Sequence, residues 1–253
     1  MQEELTRAPA PLVEQLSDTV TIYRGDCLAV LPTVDLVDAV LTDAPYSSGG
    51  LHQAERNAPT GVKYLGNEHR HLYSDFAGDN RDQRSFAHWS ALWLGLARDR
   101  TRPGGVCGLF SDWRQLPVTT DALQAGGWIW RGVAVWDKTE AARPQRGRYR
   151  NQAEYLAWGS NGSMPATGPV VPGVFRHRVE RLKLHQAGKP PGMLADMLAL
   201  CGCTVLDPFM GSGSMGVAAI RTGRRYIGIE ISPHWYDVAR RRLEAELKRP
   251  GDG

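Results

Sequence analysis

The chain has 253 residues and a mass of 27.9 kDa, and 42% of it is hydrophobic, which suits one large α/β domain and excludes a chain that is disordered for most of its length. Thirty Lys+Arg against 27 Asp+Glu leave +3, too small an excess for a protein that coats nucleic acid by charge alone. Cysteines 27, 107, 201 and 203 form no C-x-x-C pair and no zinc-ligand spacing, so no metal is expected, and neither an apolar leader nor a run approaching the roughly 18 apolar residues of a membrane span is present.

Residues 1–18 carry Pro9, Pro11 and scattered charges without period and read as a flexible arm, leaving 19–253 as a single domain. After it, short apolar runs bounded by Gly, Asp or Pro predict strands at 20–23, 39–41, 106–110, 133–136, 155–158, 204–206 and 226–229. Amphipathic stretches predict helices at 85–99, 116–125, 192–200, 214–221 and 233–248. Continuous apolar strands alternating with helices imply a doubly wound, mostly parallel α/β sheet covered on both faces. Three stretches, about 47–84, 139–152 and 159–185, fit neither pattern and are long enough to be functional loops.

Thr204-Val205-Leu206-Asp207-Pro208-Phe209-Met210-Gly211-Ser212-Gly213-Ser214 runs from a strand through a glycine turn into a helix. Gly211, Gly213 and Gly216 complete G-x-G-x-x-G, and Glu230 ends the next strand 19 residues after Gly211. A carboxylate there can accept ribose hydroxyls while the glycines let a ligand approach backbone and helix N-terminus. An adenosine-bearing cofactor is therefore expected. An acid at position 207 would repel a dinucleotide pyrophosphate but suits the ammonium and sulfonium of S-adenosylmethionine.

The predicted strand at 39–41 ends in Thr42-Asp43-Ala44-Pro45-Tyr46. In an open α/β sheet the ligand crevice lies at the carboxyl ends of the strands, so Asp43 and Glu230 can face one site. An exocyclic base amine is a poor nucleophile because its lone pair is delocalised into the ring. A carboxylate accepting one N–H and a backbone carbonyl accepting the other pull the nitrogen toward sp³ and free that pair. Pro45 biases Ala44 to an extended backbone, and Tyr46 offers a face on which a flipped base stacks.

Asp43-Ala44-Pro45-Tyr46 followed much later by Asp207-Pro208-Phe209-Met210-Gly211-Ser212-Gly213 resembles the β class of bacterial and phage amino-group DNA methyltransferases, with their D-P-P-Y and D-P-F-x-G-S-G motifs. Gly25-Asp26, Arg102-Pro103-Gly104-Gly105, Trp136-Asp137-Lys138 with Glu154-Tyr155, and His185 through Lys189-Pro190 match further elements in the same order. The resemblance implies a Rossmann-like fold with permuted motif order and S-adenosyl-L-methionine as cofactor. It makes Asp43, Ala44, Pro45 and Tyr46 catalytic, and Asp26, Cys27, Lys189, Asp207, Phe209, Gly211, Ser212, Gly213, Glu230 and Ile231 cofactor-binding. Ala44 departs from the family's proline but keeps the carbonyl, so activity is expected to survive.

The implied substrate is double-stranded DNA. An Asp at the first motif position goes with adenine N6, and cytosine N4 is the alternative. Recognition is expected from 159–185, 47–84 and the basic stretch, with Arg143, Arg146, Arg148, Arg150, Arg176 and Arg178 as DNA contacts. From Arg143 to His185 eight Lys+Arg face two Asp+Glu, so the modest overall charge conceals a segregated basic segment. So small a recognition region implies a homodimer, and the family implies a cytoplasmic setting, no membrane, and in some members a companion restriction endonuclease. Trp89, Trp93 and Trp113 are expected in the core rather than at that dimer contact, and Arg240–Arg242 on a solvated face. A dinucleotide-dependent oxidoreductase and a non-catalytic DNA-binding relative of the methyltransferases remain as rival readings.

Overall fold

The computed structural model describes residues 11–45, 82–144, 146–179 and 189–249. Its strands are β1 (Leu12–Ser17), β2 (Val20–Arg24), β3 (Val37–Thr42), β4 (Thr101–Ser111), β5 (Ile129–Asp137), β6 (Ala153–Ser160), β7 (Val174–Arg176), β8 (Thr204–Asp207) and β9 (Arg225–Glu230). They form one sheet in the order β1-β2-β9-β8-β3-β4-β6-β5-β7. The run β2-β9-β8-β3-β4 is parallel throughout, whereas β6 is antiparallel to both β4 and β5. Antiparallel β6 therefore presents its beginning, not its end, at the edge where the parallel strands finish.

The helices are α1 (Cys27–Val30), α2 (Gln83–Asp99), α3 (Leu116–Ala125), α4 (Pro191–Met197), α5 (Ser214–Arg221) and α6 (Pro233–Leu247). Alternation along the buried strands divides them into two layers. Ala39, Leu41, Val205 and Tyr226 pack with Met193 and Leu194 of α4, Val217 of α5 and Leu243 of α6. Val40, Leu206 and Ile229 turn the other way, toward Val30 of α1, Trp93 and Leu94 of α2 and Leu123 of α3. Both faces of the central strands are thus covered, which is why those strands are apolar without a break.

Every predicted strand and helix is present, with three departures. Residues 12–17, assigned to the flexible arm, form edge strand β1, in antiparallel register with β2 across a turn at Asp18-Thr19. Its polar residues suit an edge, where one row of backbone groups lacks a strand partner. Within the stretch expected to be loop at 159–185, Val174–Arg176 add as β7 alongside β5. The helix expected at 192–200 begins at Pro191 and tightens into a 3-10 turn at Leu198–Leu200. Of the recognition stretch 47–84 only the last three residues are described, where Asp82 caps α2 by accepting from Arg84 N and Ser85 N.

Candidate active site

The chemistry-bearing residues gather along one edge of the sheet. In spatial order, β2 leads into Asp26, β9 ends at Glu230, β8 at Asp207 and β3 at Thr42-Asp43. The same edge continues through Phe110 and Ser111 at the end of β4, Glu154 at the start of β6, Asp137 at the end of β5 and Arg176 at the end of β7. Two motifs more than 160 residues apart meet because β3 and β8 are neighbours, with Ala39 beside Val205 and Val40 beside Leu206. Thr42 Oγ1 donates to Asp207 Oδ1 at 2.6 Å, a buried bond that ties the strand carrying Asp43 to the strand carrying the glycine loop.

On the glycine side, Gly211 and Gly213 have φ of +52° and +80°, the left-handed region that L side chains rarely adopt. A Cβ on Gly213 would also come within 3.2 Å of Ala239 Cβ, so this turn lies tightly on α6. From that helix Arg242 Nη1 donates to Ser212 O at 3.2 Å and to Ser214 Oγ at 3.0 Å, pinning the loop from behind. The expectation of a solvated face for Arg240–Arg242 is corrected here for Arg242; Arg240 also has partners, Glu14 and Glu244. Glu230 accepts from Gly211 N through Oε2 and from Ser232 N through Oε1, both at 2.8 Å, and burial raises its pKa despite those donors. Gly25 N donates to Glu230 O, which brings the turn of Asp26 and Cys27 against the strand end. Asp26 caps α1 by accepting from Leu28 N, Cys27 is buried and Ile231 is exposed.

Asp207 behaves differently from its expected role as a counter-charge for the cofactor. Its carboxyl is buried and accepts from Thr42 Oγ1, from Tyr226 OH at 3.2 Å and from Phe209 N at 3.2 Å. Burial pushes its pKa up to about 7 against the lowering effect of those donors. The group holds strands together at least as much as it offers charge. Phe209 likewise packs on α2, its ring centroid 5.3 Å from Trp89 and 5.0 Å from Trp93. Trp93 is core as expected, but Trp113 is 54% exposed, with the Arg114 guanidinium 4.9 Å from its ring centroid.

On the other side lies an arrangement the sequence does not disclose. Lys189 Nζ is 2.6 Å from Asp43 Oδ2 and 3.2 Å from Glu154 Oε2, and Lys138 Nζ is 2.6 Å from Glu154 Oε1. Charges alternate along Lys138, Glu154, Lys189 and Asp43, drawn from four separate segments. Burial would lower the pKa of Lys189, whose ammonium also sits 5.0 Å from the Phe110 ring centroid, but Asp43 and Glu154 outweigh it and hold the value above normal. Burial would raise the pKa of Glu154, but Lys189 and Lys138 bring it down to about 2. Lys189, expected on the cofactor, thus contacts Asp43. Ala44 is buried in the core on the α2 side and Pro45 is half-buried, while Tyr46 and His185 lie outside the described residues.

The connection from β5 to β6 carries the expected DNA contacts. Arg143, Arg146 and Arg148 are exposed, whereas Arg150 Nη1 donates to Glu140 O. Arg176 is engaged too, donating from Nη2 to both Glu140 carboxylate oxygens at 3.0 Å with Asp137 nearby, and Arg178 is exposed. Arg150 and Arg176 therefore brace the root of the loop. Among the described residues no cluster of metal-binding side chains occurs, and no helix is long and apolar enough to cross a membrane.

The family model for DNA methylases of the N6/N4 type matches residues 171–241, from β7 through the glycine loop into α6. That match and the similarities that follow support an amino-group DNA methyltransferase dependent on S-adenosylmethionine. A type II methyltransferase of Streptococcus pneumoniae, M2.DpnII, is 26% identical over 237 residues, covering 83% of each chain. The fold of this chain is shared with the S-adenosylmethionine complex of M1.HpyAVI (19% identity, TM-score 0.63, 88% of this chain and 98% of that one). It is also shared with PvuII DNA methyltransferase, a cytosine-N4-specific enzyme (15% identity, TM-score 0.65, 94% of this chain and 89% of that one).

Proposed function

We propose that this methyltransferase acts on the N6 amine of adenine in double-stranded DNA, taking the target base out of the helix to reach it. The observation that carries this reading is the bond from Thr42 to Asp207, which brings the end of the Asp43 strand beside the end of the glycine-loop strand at one sheet edge. The cofactor-side residues fit S-adenosylmethionine: the two left-handed glycines leave backbone accessible, and the Glu230 carboxylate, fixed by Gly211 N and Ser232 N, keeps acceptor capacity for a ribose hydroxyl. When bound, S-adenosylmethionine supplies an electrophilic methyl group on a sulfonium.

The chain's own residues prepare the nucleophile. Asp43 accepts one amine N–H and the Ala44 carbonyl the other, which draws the nitrogen lone pair out of the ring. Transfer to nitrogen leaves a cationic amine, and its proton passes to the Asp43 carboxylate and then to solvent. Alanine at position 44 supplies the same carbonyl as the family's proline. The choice of adenine rests on Asp at position 43; likeness of fold to a cytosine-N4-specific enzyme keeps cytosine as the second reading. A second copy of the chain extends a compact recognition surface, as sedimentation with DNA would test.

Incubation with a radiolabelled methyl donor and unmodified DNA, followed by digestion to nucleosides, tests the proposal. Label in N6-methyladenine is expected; label in N4-methylcytosine selects the second reading. Asp43→Ala is expected to abolish transfer while donor binding persists, and full activity in that variant would remove Asp43 from the mechanism.

A further inference from the structure

We infer that Lys189 and Glu154 are positioning residues that fix the orientation of Asp43, and that Lys189 serves this carboxylate rather than the cofactor. The inference rests on the proposed role of Asp43 as acceptor of the base amine. Asp43 stands one residue beyond the end of β3, and its side chain retains two rotatable bonds whose orientation its contacts must fix. The 2.6 Å contact from Lys189 to Oδ2 is one that does so.

A lysine side chain left only 5% exposed has few ways to wander, and its ammonium is held by both Asp43 and Glu154 with the Phe110 ring centroid 5.0 Å away. Glu154 is itself held at its other oxygen by Lys138. The side chains come from the ends of β3 and β5, the start of β6 and the residue preceding Pro190, so the sheet edge itself sets their spacing. Buried charges impose geometry because removing one partner leaves the next uncompensated. With Glu154 held low and Lys189 held high, both stay ionised across neutral pH, so Lys189 neither donates to nor withdraws from the proton traffic at the amine.

The test compares Glu154→Gln, Lys189→Met, Lys189→Arg and the double Gln/Met variant with wild type, by calorimetric affinity for S-adenosylmethionine, DNA affinity and single-turnover transfer at saturating donor. Glu154→Gln is expected to slow transfer on the order of ten- to a hundredfold, the effect of a small misplacement of a reacting group. Donor and DNA affinity should stay within about twofold, the mark of an interaction that matters only in the transition state. Lys189→Met should slow transfer further, Lys189→Arg should recover part of the rate, and the double variant should be no slower than Lys189→Met alone, because both residues act along one path. In Glu154→Gln the alkaline limb of the rate profile should move toward neutral pH, since burial then opposes the Lys189 charge with one carboxylate fewer.

A fall in donor affinity of about tenfold or more in Lys189→Met, with the saturated rate intact, would return Lys189 to the cofactor and overturn the inference. Wild-type rates in both single variants would overturn it as well. If Lys189→Met fails to fold, Lys138→Met replaces it at the far end of the series, where a smaller fall in rate with unchanged donor affinity is required and no fall counts against the inference. A wild-type protein that binds donor yet labels no DNA would instead overturn the function proposed above.

Discussion

Asp207 and Glu154 are both buried carboxylates at the same sheet edge, yet burial leads to opposite outcomes. Glu154 meets two ammonium groups; Asp207 meets hydroxyls, one backbone N–H and the nearby charge of Asp43. Native Asp207 therefore holds its proton to about pH 7, against an ordinary value of 3.8. Between those limits the folded protein binds the proton more tightly than the unfolded chain, so this residue's contribution to stability falls as pH rises from about 4 to about 7. Asp207→Asn keeps an acceptor for Thr42 and removes the titration. Urea unfolding at pH 5 and pH 8 should show wild type losing stability relative to the variant at the higher pH, and a constant difference would contradict the assignment. Glu154 has the reverse sign: its contribution is fully present above about pH 4.5 and is lost as pH falls toward 2.

At the scale of elements, the basic connection from β5 to β6 is organised into a braced root and an exposed tip. Arg150 and Arg176 converge on Glu140 at the root, leaving Arg143, Arg146 and Arg148 exposed beyond it. Replacing those three by serine should weaken DNA binding, with donor affinity unchanged. The slope of log affinity against log salt should become shallower by up to about 0.9 for each phosphate that an arginine no longer neutralises. An unchanged salt slope would remove the tip from the DNA interface. The same elements show what can be read from sequence. The buried strands are legible because two covered faces demand unbroken apolar runs, and the glycine loop because its turn demands glycine. β1 is not, since Leu12–Ser17 is an edge whose polar residues resemble a loop, and three-residue β7 is too short to carry a period. The series Lys138, Glu154, Lys189 and Asp43 leaves only family-like fragments in the sequence, because partners from four segments are brought together by strand order alone. Arg242 reads as one more charge on a surface helix until α6 is laid against the glycine loop.

For the whole molecule, donor binding at the edge that β2, β9 and β8 share should be linked to folding. Saturation with S-adenosylmethionine at about a hundred times its dissociation constant should stabilise the fold by about 2.7 kcal/mol, seen as a rise in Tm. Glu230→Ala should lose most of that rise while Asp43→Ala keeps it, which separates the two halves of the site by calorimetry; equal rises in both variants would contradict this division. The exposed tip between β5 and β6 also makes the molecule readable by a protease. Trypsin should cut after Arg146 and Arg148, whereas the bond after Arg143 is protected by Pro144. A chain nicked there should not fall apart, because β5 and β6 remain zipped from Ile129–Ser160 to Asp137–Ala153. Cleavage kinetics should thus give a footprint independent of catalysis: DNA, but not the methyl donor, is expected to shield the cut, and the pieces on either side of it should migrate as one particle until denatured.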